Sequence, residues 1–249
     1  MKPGLTALLQ SMLPQRLLGR IVYRAARSRR PWLRSALING FCRLYAIDLD
    51  EAERSDPAAY ASFNDFFTRA LKPGARTLPA NGDVIASPVD GTLTEFGRLE
   101  RDQLLQAKGM PYSLTELVDE APEDLEPFIG GHYATVYLAP HNYHRIHSPL
   151  AATLRQTRYI PGRRFAVNRA TAGAVARLFC RNERAVLWLE TACGPCLLVM
   201  VGALNVASLG TVTLGEIASG PPRLWHEAEP PAFAVGDELG RTGFVQKSG

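Results

Sequence analysis

The chain is predicted to be α+β, with a helical, basic amino-terminal arm ahead of a β-rich body. Three observations lead there. Early apolar residues recur at helical spacing (Leu5, Leu8, Leu9, Met12, Leu13, then Leu17, Leu18, Ile21 and Val22), with Arg16, Arg20, Arg24 and Arg27 on another face. From about Val84 onward the texture changes to short apolar runs broken by Gly, Pro and Asn: VIASPVDGTL, HYATVYLAP, AVLWLETACGP and LLVMVGALNVASLG. The 249 residues, 46% hydrophobic and 21% charged, are an ordinary globular composition with enough apolar material for a sizeable core. We place the boundary near residue 60, giving a helical arm over 1–60 and a β-rich body over 61–249.

The arm is one-signed. Lys2, Arg16, Arg20, Arg24, Arg27, Arg29, Arg30, Arg34 and Arg43 lie between Met1 and Ile47, a stretch without Asp or Glu, while the whole chain carries only +4. A basic amphipathic helix of this kind suits the surface of an anionic membrane. A solvated basic face or a nucleic-acid patch is the alternative, and sparse aromatic residues weigh against base stacking. No run of 18 apolar residues occurs, so a membrane-spanning helix is not expected. Four cysteines do not make a dense disulfide framework and no secretory signal precedes them, which points to a reducing compartment. The expected location is therefore peripheral, on the cytoplasmic face of the cell membrane.

Beyond the arm, Pro57 to Leu71 (PAAYASFNDFFTRAL) reads as one helix that stops before the turn-forming KPGARTLP, and Ala121 to Pro127 reads as an acidic surface loop. Four stretches carry possible chemistry. SPVDG sets Asp90 in a Pro/Gly turn, where Asp is also common for conformational reasons. CGPC at Cys193 to Cys196 has the spacing of a thiol redox centre, but it falls between two strand-like runs, where Gly194-Pro195 suits a hairpin turn. YIPGRRFAVN puts Arg163 and Arg164 beside a glycine, either a phosphate cradle or a solvated pair. LAPHNYHRIHSP is the strongest, because it holds His141, His144 and His147, three of the chain's five histidines. Imidazole at this density suits proton transfer, with Asp90 as a partnering carboxylate; a zinc site or a polar loop are the other readings.

Taken together, FNDFFTRALKPGARTL, SPVDGTL, LAPHNYHRIHSP, YIPGRRFAVN, LFCRNERAVLWLETACGP and VGALNVASLG, in this order, resemble the phosphatidylserine decarboxylase family over roughly Ser62 to Gly240. The resemblance implies a proenzyme that cuts itself before a serine in a Leu-Gly-Ser-Thr type motif and turns that serine into a covalent pyruvoyl group. Asp90 would orient His147, and His147 would deprotonate the serine for an N-to-O acyl shift. The pyruvoyl group would then serve as an electron sink while phosphatidylserine loses carbon dioxide to give phosphatidylethanolamine. His144 would steer or protonate the intermediate, His141 falls at a variable position, and CGPC falls at a turn between strands. No metal is implied, and the basic arm would meet the bilayer that holds the substrate, so nucleic acid is not an expected partner.

One departure stands out. VGDELGR resembles the approach to the cleavage motif, but TGFVQKSG follows it and no Leu-Gly-Ser-Thr occurs. Either the chain corresponds to a large β chain partnered by a small pyruvoyl-bearing α chain, or its tail is altered near Thr242; the mismatch ahead of the cut site leans toward the altered tail. The sequence alone thus leaves three classes: a pyruvoyl-dependent decarboxylase, the first choice; an inactive lipid-surface-binding homologue; and a thiol oxidoreductase using Cys193 and Cys196. A homodimer is left open.

Overall fold

A computed structural model describes residues 15–45, 47–79, 84–204 and 208–244. The earliest apolar positions of the arm, Leu5 to Leu13, lie outside the described residues. Helix α1 spans Gln15–Ala26, and α2 spans Pro31–Tyr45 with proline at its first turn, where the missing N–H costs nothing. The expected helix over Pro57 to Leu71 is instead two pieces: a 3₁₀ turn at Pro57–Ala59 and helix α3 at Phe63–Phe67. Its capping residues divide it. Asp56 accepts from Ala58 N, and Ser62, in extended backbone, accepts from Asp65 N at 3.2 Å. Tyr60, 1% exposed, drives its ring inward between the two pieces.

The strand-rich body follows. Its elements are β1 (Thr92–Arg98), β2 (Gln103–Gln106), β3 (Met110–Ser113), α4 (Leu114–Val118), β4 (His132–Tyr137), β5 (Arg145–His147), β6 (Ala152–Ile160), α5 (Arg169–Ala172), α6 (Leu178–Arg181), β7 (Arg184–Thr191), β8 (Gly194–Val201), β9 (Ser208–Thr211), β10 (Gly215–Ile217), β11 (Arg223–His226), β12 (Ala232–Phe233) and β13 (Glu238–Gly243). The described strands pair antiparallel, which makes the class α+β rather than α/β. One sheet runs β11-β6-β7-β8, with β12 also on β6; a second runs β10-β9-β13-β5; β1-β4 and β2-β3 are two-stranded ribbons.

Alternation along β7 explains how these layers stack. Ala185, Leu187 and Leu189 face a core shared with Ile146, Leu209, Ile217 and Leu239 of the second sheet. Val186 and Trp188 face the opposite way, against Leu99, Leu104, Tyr112, Leu117 and Leu125. A strand buried on both faces reads as a nearly continuous apolar run, which is what AVLWLE is. The third cluster is aromatic: Phe63, Phe66 and Phe67 gather Ala26, Ile38, Tyr60 and, from just beyond β13, Phe244.

The CGPC segment is a hairpin, with its turn two positions earlier than expected. Thr191 pairs with Gly194, so Ala192 and Cys193 form the two-residue turn, and Pro195 already lies in edge strand β8, where its missing N–H is tolerated. Gly194 has φ +109°, which a side chain would resist.

One charged group inside the body is answered by backbone carbonyls alone. Arg184, 3% exposed, donates to the carbonyls of Glu116, Leu117, Cys180 and Asn182, the C-terminal ends of α4 and α6. Gln106 is fully buried and its amide donates to the Ala172 and Val175 carbonyls, both at 2.8 Å, while accepting from Leu178 N at 3.1 Å. It clips the 172–178 segment to β2. Gln106→Leu strands those three backbone groups without partners, and we expect urea unfolding to show a loss of about 3 kcal/mol or more.

Candidate active site

Strand β5 carries the centre of the site. Ile146 turns into the core, so its neighbours Arg145 and His147 turn the other way, as the pleat requires. One edge of β5 pairs with β13; the other is met by the SPVDG turn, through His147 N to Pro88 O at 2.8 Å and Ala86 N to Pro149 O at 3.0 Å. Those bonds bring the Asp90 turn alongside the histidine segment.

His147 is held at both ring nitrogens. Nδ1 lies 2.7 Å from the Gly236 carbonyl and Nε2 lies 2.9 Å from the Tyr143 hydroxyl, with the two rings stacked at 5.5 Å between centroids. Gly236 has φ +85°, and a Cβ there would meet Leu78 at 2.5 Å, so only glycine presents its carbonyl in this way. Tyr143 is 8% exposed and burial pushes its phenol up to about 12.

Asp90 is bound by Arg76, whose Nε donates to it at 2.9 Å and whose second terminal nitrogen adds a bond at 2.5 Å. Arg76 also grips Glu51, at 2.6 Å and 3.1 Å, and holds that carboxyl below its usual range. The hydrogen bonds of Asp90 therefore go to Arg76, and those of His147 to Tyr143 and Gly236; the Pro88 carbonyl is the link between the two. Arg145 completes the surround by donating to Glu238 at 2.7 Å and to the Thr68 carbonyl at 3.0 Å.

His144 is in a different medium. It is 1% exposed and stacked on Phe67 at 4.0 Å, with Nδ1 3.2 Å from the Thr242 hydroxyl and Nε2 3.3 Å from the Pro140 carbonyl. Burial, helped by the Arg69 guanidinium, lowers its pKa from 6.5 to about 4. His141 is exposed; its carbonyl accepts from Arg69 at 3.4 Å and its ring lies 6.2 Å from that of Tyr45. The three imidazoles do not converge, and among the described residues no group of three or more His, Cys, Asp or Glu is placed to hold a metal ion.

Other sequence candidates are occupied in other ways. Arg164 donates to Glu183 at 2.6 Å and to Ser219 at 2.7 Å, while Arg163 is exposed. Cys193 and Cys196 are free thiols on a hairpin with no helix start beside them, and burial raises the Cys196 pKa, the reverse of what a redox thiolate needs. Tyr143, Arg76 and Gly236 are the residues that sequence reasoning missed. Tyr143 and Arg76 stand inside quoted motifs, so their place was visible, but nothing in the spacing tells a ring contact or an ion pair from a solvated side chain.

Comparison with known proteins gives two family matches along the chain. A family model described as phosphatidylserine decarboxylase matches residues 63–244, and one described as PSD matches residues 5–46. The phosphatidylserine decarboxylase proenzyme of Ectopseudomonas mendocina is 45% identical over 249 residues, covering 97% of this chain and 86% of that protein. The proenzymes of Alkalilimnicola ehrlichii and Azotobacter vinelandii are 45% and 43% identical, covering 95% and 97% of this chain and 84% and 86% of theirs.

The depressed pKa of His144 has a sign that can be checked. An imidazole held near 4 in the fold and near 6.5 when unfolded contributes stability fully above 6.5, and loses it as pH falls from there toward 4. Urea unfolding at pH 7 and at pH 4 should differ by about 3 kcal/mol from this residue alone. In His144→Gln that share of the pH dependence disappears.

Proposed function

The chain belongs to the phosphatidylserine decarboxylase family of carboxy-lyases, made as zymogens and serving phospholipid biosynthesis, and from that premise we propose that Asp90, His147 and His144 carry its chemistry. The observation that carries the reading is the setting of His147, an imidazole fixed at Nδ1 by a main-chain carbonyl and offering Nε2 as a base. In self-processing, His147 takes at Nε2 the proton of the serine hydroxyl as that oxygen attacks the carbonyl before it in the same proenzyme polypeptide, and elimination from the resulting ester releases the former serine at the head of the small α chain that we assign as partner. Asp90 supports the imidazolium so formed, once Arg76 gives up part of its hold on the carboxylate. His144, neutral and enclosed by Phe67, steers or protonates the reacting carbon.

The donor set fits the covalent pyruvoyl group that the family uses: a neutral base, a nearby carboxylate and two further aromatic rings at one end of a sheet. That group supplies an electron sink for loss of carbon dioxide from phosphatidylserine. This chain's residues supply the proton transfers and the enclosure around it.

The arm, residues 1–60 in our division, is the surface that meets the bilayer, on the cytoplasmic face. Ile21, Trp32 and Leu44 are 57%, 67% and 73% exposed, and Arg24, Arg29, Arg30 and Arg43 are exposed among them. An indole and aliphatic groups interleaved with guanidinium suit the headgroup layer of an anionic membrane. Arg27 is spent differently, on Glu216 and the Phe244 carbonyl, which fastens α1 to the body. No helix among the described residues is long and apolar enough to cross a membrane.

The test is an intact-mass spectrum of the protein from its own host, with a search for a small co-purifying chain whose first residue has the mass of pyruvoyl. Its presence with carbon dioxide release from phosphatidylserine supports the reading. A single uncleaved species that binds vesicles without releasing carbon dioxide leaves the lipid-binding homologue as the better account. His147→Ala should cut the processing rate by about 10²–10⁴-fold. On vesicles containing phosphatidylserine, Arg29→Gln combined with Arg30→Gln should weaken sedimentation-measured binding about 30-fold, since each basic residue near an anionic surface is worth ~1 kcal/mol.

A further inference from the structure

We propose that Tyr143 is the positioning residue of His147: its hydroxyl caps Nε2 of an imidazole whose proton is fixed on Nδ1 by the Gly236 carbonyl. The inference rests on the reading of His147 as the base and adds how the base is prepared. It follows from what each partner can do. A carbonyl oxygen only accepts, so the nitrogen 2.7 Å from Gly236 O carries the hydrogen. In the neutral ring Nε2 is then a lone pair, and the phenol 2.9 Å away is its donor. Tyr143 stays protonated across the physiological range, because burial raises its pKa to about 12.

The second histidine of the segment shows that this is a choice and not a default. His144 has its Nε2 on the Pro140 carbonyl and its Nδ1 on the Thr242 hydroxyl, so it holds the opposite tautomer. Two imidazoles three residues apart are thus protonated on different nitrogens by two different backbone carbonyls. Around the Tyr143–His147 pair stand Asp90 with Arg76 from the SPVDG side, and Arg145 with Glu238 from β5 and β13; all four act on the Tyr143 phenol electrostatically. None of them takes a ring nitrogen of His147. The Tyr143 hydroxyl therefore occupies the lone pair that a serine hydroxyl must reach, and it has to yield that bond before His147 accepts a proton.

The experiment is a long-range ¹H–¹⁵N spectrum of the histidines in the full chain, at a pH where imidazole is neutral, on the unmodified protein, on Tyr143→Phe and on His147→Gln. His147→Gln identifies the His147 signals by their loss. We expect His147 to appear with the hydrogen on Nδ1, and Tyr143→Phe to move its Nε2 signal toward the value of a lone pair without a donor while Nδ1 keeps its hydrogen. The His144 signals, with the hydrogen on Nε2, should stay in place and show that the phenyl ring preserves the packing. His147 protonated at Nε2, or an Nε2 signal that does not respond to Tyr143→Phe, overturns the proposal. Because the readout needs no pyruvoyl group, a chain that releases no carbon dioxide would refute the decarboxylase reading and leave this one standing.

Discussion

The hydrogen bond from His147 N to the Pro88 carbonyl is the contact on which the site depends. Strand β5 is three residues long and lies at the edge of its sheet, where unpaired N–H and C=O groups would otherwise face water. By taking up that edge, the SPVDG turn, which carries Asp90, is joined to the histidine segment through main-chain atoms. On the opposite side, pairing with β13 brings in Glu238 and the 236–237 turn, so both surroundings of the ring are set by main-chain pairing. Side-chain chemistry is laid on a frame that backbone bonds have already fixed.

This explains which parts of the molecule were legible in the sequence. The class and the main strands were, because β7 buries its apolar run along most of its length and β8 half-buries its own, and that leaves a direct trace in residue type. The grouping of Asp90 with the histidine segment came from residue chemistry and from family likeness; no periodicity links positions so far apart. What stayed hidden depends on main-chain atoms or on single ring contacts. The Gly236 carbonyl has no side chain to advertise it, and its glycine reads as one more turn residue. The division of the 57–71 segment was written in Asp56 and Ser62, two side chains suited to capping, but the strong aromatic periodicity across FNDFF outweighed them in a reading by pattern. In the hairpin, Gly-Pro draws the eye as a turn while the pairing register places the turn at Ala192 and Cys193.

Charge around the site is kept in short closed circuits. Arg76 sits between two carboxylates, Glu51 and Asp90, and Arg145 answers Glu238. Glu51 belongs to the segment that follows α2, so Arg76 also ties that segment to the turn carrying Asp90. His144 and Arg69 form the opposite environment, nearly dry and 1% and 4% exposed, where a neutral imidazole is held by two weakly polar partners and an aromatic face. One segment thus places two histidines of similar intrinsic chemistry in different media, a polar edge at His147 and an apolar interior at His144.

Phe244 has a consequence for how such a molecule comes into being. Its ring closes the aromatic cluster of α3, at 5.2 Å from Phe63 and 4.9 Å from Phe67, and its N–H donates to Asn64 Oδ1 across 180 residues of chain. A ribosome makes the helices first and Phe244 long afterwards. The arm and α3 must therefore wait through synthesis of the entire strand-rich body with part of their apolar surface uncovered, and that surface is closed by a residue made only after β13.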